Sequence, residues 1–366
     1  MRLALRNLFK ESTRLALSVG GMALAVMLIL ILRGFRSGMY RQITSYLDHS
    51  TASVVVAQRG VNNLLGATSL LPPDALQAVE SVEGVEMVVP ILSQFVILDL
   101  HGKKQPAYMI GYDPETGGGP WELAQGREPT SEAEVVFDRA LAERHDLRLG
   151  DAVEIMGRKF ELVGFSQDTT SWMTSFFFLP KAAVEGLVRA PRAASFLLVS
   201  PASGVAPETL RQRLDDLPGA HALLKSEVEA NDLRLFARFF SAPVQLMVGI
   251  AFLVGVLVVG LVIYTATVER QREYGVLKAL GARNGLLYRV VGAQALIAAA
   301  FGVLLGVVLA YAASRGIMAA RPQFLIVLEP TEAATALVAG LAMALVAALL
   351  PARLIAGLAP AEVFRR

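Results

Sequence analysis

The densest run of charge in the chain, Glu269, Arg270, Arg272 and Glu273, opens a stretch that closes on Lys278 and Gly281, with Tyr274, Leu277 and Leu280 set within it. Residues at i, i+3 and i+6 lie toward one side of a helix, so three apolar side chains face together while the charges crowd the first turn. Gly281 stands where a left-handed residue closes a helix. The chemistry on offer is recognition. A helix lying on lipid would set Glu269 and Glu273 against anionic headgroups, and three residues make a narrow apolar face. Insertion into the groove of a partner protein fits the pattern better.

Nothing else in the chain has the spacing of a catalytic centre. His49, His101, His145 and His221 are scattered and no HExxH occurs, so no metal site is expected. No GxxxxGK[ST] is present to cradle ATP phosphates, and no GxSxG to hold a serine nucleophile. The chain is expected to be a non-catalytic protein without a cofactor of its own. A net charge of +2 gives no reason to expect a nucleic-acid partner. The aromatic run Trp172, Phe176, Phe177 and Phe178 reads two ways, as an apolar substrate-contact surface or as a buried strand with its edge. Gly302 and Gly306, with Ala310 one step on, make a small-residue stripe through which two copies could pack.

The elements that must position these residues are mostly apolar helices. The chain is 54% hydrophobic and 18% charged, a membrane-protein composition. Residues 15–32, 241–265, 290–314 and 335–350 are nearly free of charge, and about 20 apolar residues of helix span a bilayer. The fourth reaches that length if stretched over 331–352, which puts Glu332 at its outer edge. Basic residues concentrate in the N-terminal tail (Arg2, Arg6, Lys10, Arg14), in the loop after the second span (Arg270, Arg272, Lys278, Arg283, Arg289) and at the C-terminus (Arg353, Arg365, Arg366). By the positive-inside rule both termini and that loop are cytoplasmic, in the bacterial inner (plasma) membrane, with Arg33 and Arg36 in mild conflict. The expected plan is an amphipathic helix over 1–14, spans over 15–33, 241–266, 290–314 and 331–352, a helical loop over 267–289 and a tail over 353–366.

Residues 34–240 then form a large α+β domain outside the cytoplasm, held without disulfides because the chain has no cysteine. Strands are expected at 52–57, 85–89, 95–100, 107–110, 134–137, 175–179 and 196–199, a hairpin over 152–165, and helices at 74–79, 139–144 and 207–217. The breaker cluster Gly117, Gly118, Gly119 and Pro120 is the expected joint of two lobes, the smaller over about 117–190. Segments 34–47 and 226–240 read as helical stalks.

The run of Glu269, Arg270, Arg272, Glu273, Gly275, Leu277, Lys278, Leu280 and Gly281 after a membrane helix resembles the signature of the MacB/FtsX superfamily of ABC-transporter permeases. Leu5 to Leu8, Leu123 to Arg127, Leu149 to Asp151, Phe160 to Gly164 and Leu358 to Glu362 resemble further family segments. The resemblance implies four membrane helices and a Porter/Sabre-like outer domain between the first and second, working as a homodimer or with a paralogue. It implies that 269–281 is a coupling helix seated on an ATPase, and that ATP-driven closure changes the shape of the outer domain so that substrate is expelled there (mechanotransmission). The chain lacks a fused nucleotide-binding domain, so ATP and Mg2+ would sit on a separate ATPase subunit, as in DevC-like and lipoprotein-releasing relatives. A periplasmic adaptor and an outer-membrane channel are further partners it admits, beside membrane lipids. The alternative is an FtsX-like signalling scaffold that activates an outer partner without transport. A third reading, an anchored binding protein without an ATPase, leaves the charged loop unexplained.

Overall fold

The computed structural model describes residues 12–171, 174–280 and 282–357. Along the chain run α1 (Ser12–Asp48), β1 (Val54–Gln58), α2 (Ala75–Glu80), β2 (Val85–Leu100), β3 (Lys103–Tyr112), β4 (Leu123–Gly126), β5 (Glu134–Asp138) and α3 (Arg139–Arg144). There follow β6 (Ala152–Ile155), β7 (Arg158–Ser166), β8 (Thr170–Ser171), β9 (Thr174–Pro180), α4 (Lys181–Val188), β10 (Phe196–Pro201), α5 (Pro207–Asp215) and β11 (Ala220–Leu224). The chain ends in α6 (Lys225–Glu269), α7 (Gln271–Ala279), α8 (Asn284–Ala320) and α9 (Pro330–Gly357). It divides into two compact units, Met39–Phe239 and the remainder. Helices α1 and α6 continue through the division without a break. The expected N-terminal helix over 1–14 lies almost wholly outside the described residues, as does most of the 353–366 tail.

Among the described residues four helices, within α1, α6, α8 and α9, are long and apolar enough to cross a membrane. Hydrocarbon offers backbone amides no partner, so a spanning segment must satisfy them internally as helix. Met22, Val26 and Leu30 of α1 pack with Val259 of α6, Ala299 and Val303 of α8, and Met343 and Ala347 of α9. The stripe on α8 takes part in this packing, which corrects its reading as a dimer surface. A Cβ at Gly302 would lie 2.5 Å from Met22, and one at Gly306 2.8 Å from the Ala23 carbonyl and from Val26. The two glycines are therefore spent on close approach to α1 of the same chain, a use that GxxxG serves within a bundle as readily as between copies.

The charges at the outer edge of the spans pair with each other. Arg33 Nε donates to Glu332 Oε2, and the Ser37 hydroxyl donates to Glu332 Oε1 at 3.4 Å. Only 9% of the Glu332 side chain is exposed, against 31% of Arg33. The segment before α9 is held against the same stretch of α1. The Val327 amide donates to the Gly34 carbonyl at 3.0 Å, and a Cβ at Gly38 would meet the Leu325 carbonyl at 1.9 Å. Arg33, which conflicted with the charge rule, is thus neutralised by the acidic residue of the fourth span.

The outer unit is built on an eleven-stranded sheet in the order β11-β1-β10-β2-β3-β9-β5-β7-β4, with β6 added to β7 and β8 to β9. Two pairings, β3 with β9 and β5 with β7, are parallel. The strands expected at 85–89 and 95–100 are one strand of 16 residues. Its first part pairs with β10 and its second, from Leu92, with β3. Pro90 has no amide to give the ladder, yet the strand runs through it opposite Leu197. The strands within 117–190 accordingly join the rest of the sheet through β3 and β9 and through this shared strand. The connection after β1 is held to the stalk segment of α6 by side chains. The Asp232 carboxylate accepts the Leu64 and Leu65 amides at 3.1 Å, and Tyr108 donates to the Leu64 carbonyl at 2.6 Å.

The paired charges predict a coupled stability effect. Replacing Glu332 with Leu leaves Arg33 half-buried and unpaired, and should cost on the order of 2 kcal/mol. The double replacement Arg33→Leu with Glu332→Leu should recover most of that loss. Thermal unfolding of the detergent-solubilised chain checks it; additive effects of the two single changes would contradict the pairing.

Candidate functional site

The stretch singled out by its charges folds as a short helix between two long ones. Arg270, at φ −98° and ψ 15°, ends the run of α6, and α7 begins at the next residue. Glu273 in the first turn and Lys278 in the last match the helix dipole. The end is closed by the Leu280 amide on the Val276 carbonyl and by the Ala282 amide on the Leu277 carbonyl, both at 3.0 Å. The second is the 6→1 bond of a Schellman closure. Gly281 itself lies outside the described residues. Arg283 is extended, and α8 starts at Asn284, so Leu286 and Tyr288 sit on its first turns rather than in a loop.

Burial divides the predicted apolar face, which corrects it. Tyr274 is only 6% exposed and belongs to the helical core with Ile263, Leu287 and Val291. Its hydroxyl meets the Gln294 side chain, and burial pushes the phenol above its ordinary pKa, so it stays neutral. Gly275 is buried beside it. Leu277 and Leu280 point the other way, 42% and 79% exposed. Steps of three residues fall short of a 3.6-residue turn, so positions 274, 277 and 280 drift round the helix rather than stack. With Tyr274 turned inward as an anchor, the outward set is Val276, Leu277 and Leu280, joined along the chain by Leu286 and Tyr288. These last two carried a signal: they are apolar residues inside a strongly basic loop. Arg272 and Glu273 are exposed at the rim, and Arg270 lies 3.9 Å from Glu273. Glu269 closes α6, and Lys278 lies half-buried on α7.

The other candidates fall elsewhere. Phe176, Phe177 and Phe178 on β9 are fully buried, so they offer no surface to a substrate. Phe176 and Phe178 face one core with Tyr46 and Tyr112, while Phe177 packs on Phe137 in another. Both faces of the sheet are covered at β9, which is why the aromatic run does not alternate with polar residues. Trp172 lies outside the described residues. Among the described residues no group of three His, Asp or Glu side chains is placed to hold a metal.

Two family models cover most of the chain: the MacB-like periplasmic core domain over residues 15–217 and the FtsX-like permease C-terminal region over 246–360. The chain is 25% identical over 309 residues to an uncharacterized ABC transporter permease of Mycobacterium tuberculosis, covering 84% of each protein. It is 21% identical over 307 residues to another of Mycobacterium bovis, again covering 84% of each. Among solved structures it is similar to the periplasmic region of MacB from Actinobacillus actinomycetemcomitans, with 17% identity over 50% of this chain and 92% of that one, at a TM-score of 0.37. It is also similar to the extracellular domain of the transporter YknZ from Gram-positive bacteria, with 13% identity over 47% of this chain and 99% of that one, at a TM-score of 0.37.

The split of α7 into an anchored and an open side has a mutational signature. Tyr274→Ala should destabilise the protein by about 3 kcal/mol, as emptying a core aromatic site does. Leu280→Ala should leave stability within about 0.5 kcal/mol. Thermal unfolding of the two variants side by side distinguishes them, and equal losses would place Leu280 in the core as well.

Proposed function

The chain belongs to the MacB/FtsX superfamily of ABC transporter permeases, and from that premise we propose that it transmits ATP-driven motion from a separate ATPase subunit to its outer unit. Membership of that family entails an ATPase partner and a multi-pass membrane protein. The observation that carries the finer reading is the exposed trio Val276 and Leu277, on a nine-residue helix pinned by Tyr274, and Leu280, which caps it. Apolar side chains left open in a charged loop between membrane helices gain by entering a partner's groove. Arg272 and Glu273 at the rim give that contact its orientation.

In this reading α7 is the coupling helix, both termini are cytoplasmic and the bilayer is the inner membrane. Neutralisation of Arg33 by Glu332 removes a charge that the topology would otherwise leave on the wrong side. Motion at α7 reaches the outer unit along α1 and α6, because both run unbroken through the division between the units. The interiors of the spans carry no charge to line a polar pathway. Substrate is therefore expelled from the outer side rather than carried through the bilayer. A second copy of the chain or a paralogue completes the permease, an adaptor and an outer-membrane channel extend it where an outer membrane exists, and ATP and Mg2+ bind only the ATPase.

The test is co-purification of the full chain with its ATPase, comparing wild type with Leu277→Asp. A carboxylate at a contact of this kind should weaken association about thirtyfold or more and abolish stimulated ATP turnover, with no change in unfolding temperature because Leu277 is open to solvent. Unchanged co-purification and turnover would remove α7 from the coupling role.

A further inference from the structure

The glycine run at 117–119 has a use besides linking strands. It lies across a cavity of about 360 Å³ in the outer unit, roofed by the run itself and walled by Tyr46 and His49 from the end of α1, Tyr112 of β3, Trp121 and Glu128. Val89 and Leu198 make its apolar floor. Glycine is required for the strap to lie so close. At Gly118, where φ is +86°, a Cβ would sit 2.9 Å from Ile91, and at Gly119 one would sit 2.2 Å from the Tyr112 ring. A cavity of this size, with aromatic walls and polar groups converging on it, is of the kind that holds small molecules.

Its polar groups define the ligand. Among the lining residues Glu128 is the carboxylate, and none is Lys or Arg. The neighbouring Arg127 commits its guanidinium to Glu134, at 2.6 and 2.7 Å. Tyr112 donates to Glu128 Oε2 at 2.9 Å and stays protonated, its phenol raised first by burial and then by that carboxylate. The second carboxylate oxygen has no such donor in the cavity wall. His49 Nδ1 lies 2.7 Å from the Ser45 carbonyl, which can only accept, so Nδ1 carries a proton. The His49 ring lies parallel to Trp121 at 4.4 Å. The Trp121 indole Nε1–H is buried and has no hydrogen-bond acceptor. The lining thus offers one carboxylate, an aromatic wall, the hydroxyls of Ser50, Thr51 and Thr116, and the indole of Trp121, whose donor has no partner.

We propose that this cavity binds a compact alkylammonium ligand carrying a hydroxyl or ether oxygen. The ammonium is held by Glu128 and the aromatic wall, as cations are held over rings within about 6 Å, and the oxygen supplies the acceptor that Trp121 lacks. Neither contact depends on the ATPase, so the site stands or fails separately from the coupling role of α7.

The test uses the full chain in a maltoside detergent, which brings no ammonium headgroup of its own. The sequence holds two tryptophans, so Trp172→Phe leaves Trp121 as the sole indole reporter. Choline is titrated against its neutral isostere 3,3-dimethylbutan-1-ol, with Glu128→Gln as the charge-removing variant that still accepts from Tyr112. The expected result is a saturable change in Trp121 fluorescence with choline, none with the neutral alcohol, and about tenfold weaker choline binding in Glu128→Gln, from loss of the charge attraction to a quaternary ammonium that has no N–H to donate. Equal responses to choline and the alcohol, no saturable response to choline, or unchanged affinity in Glu128→Gln would each overturn the proposal.

Discussion

Hydrocarbon tolerates neither an unpaired charge nor an unpaired backbone amide, and the layout of this chain follows from that constraint. The spanning segments of α1, α6, α8 and α9 are apolar and helical, and they approach one another closely at Gly302, Gly306 and Gly340. Arg33 and Glu332 lie at the margin and neutralise each other. The contacts proposed for a partner and for a ligand lie in the turn between α6 and α8 and in the outer unit. The proposed coupling suits such a protein, because helices without interior charge can still carry a displacement.

The two ends of that path are built differently. At α7 a single aromatic, Tyr274, fixes a short helix against the bundle and frees Leu277 and Leu280 on its far side. In the outer unit rigidity comes from a sheet covered on both faces at β9 and continued through β2, which belongs to two halves of the sheet at once. In the proposed coupling a push on one half is thereby shared with the other. The strap over Tyr112 lies where elements from both halves meet, so an occupied cavity would stiffen that junction.

Much of this was legible in the residues. The apolar runs identify the four long helices, α3 begins and ends where its pattern predicts, and the hairpin of β6 and β7 turns at Gly157 as expected. What stayed illegible shares one cause, that periodicity does not say what lies on the other side. The GxxxG stripe reads as a contact surface, but only the fold shows that its partner is α1. Tyr274 and Leu277 look alike in pattern, and tertiary space beside Leu287 separates them. Phe176 to Phe178 admit both a core and a surface reading until β9 is seen paired on either side by β3 and β5. β4 and β11 are short, with no alternating pattern to betray them, and take their place from their neighbours β7 and β1.

The central claim is that ATP acts on the outer unit through this chain. The chain has no native cysteine, so one cysteine at Met156, which is 51% exposed, can be spin-labelled without a background. Electron–electron distances between the labels of two copies, in complex with the ATPase, would be measured without nucleotide and with ATP trapped. The account predicts a distance distribution that shifts on ATP binding and returns after hydrolysis. An unchanged distribution in a complex that binds and turns over ATP would contradict it.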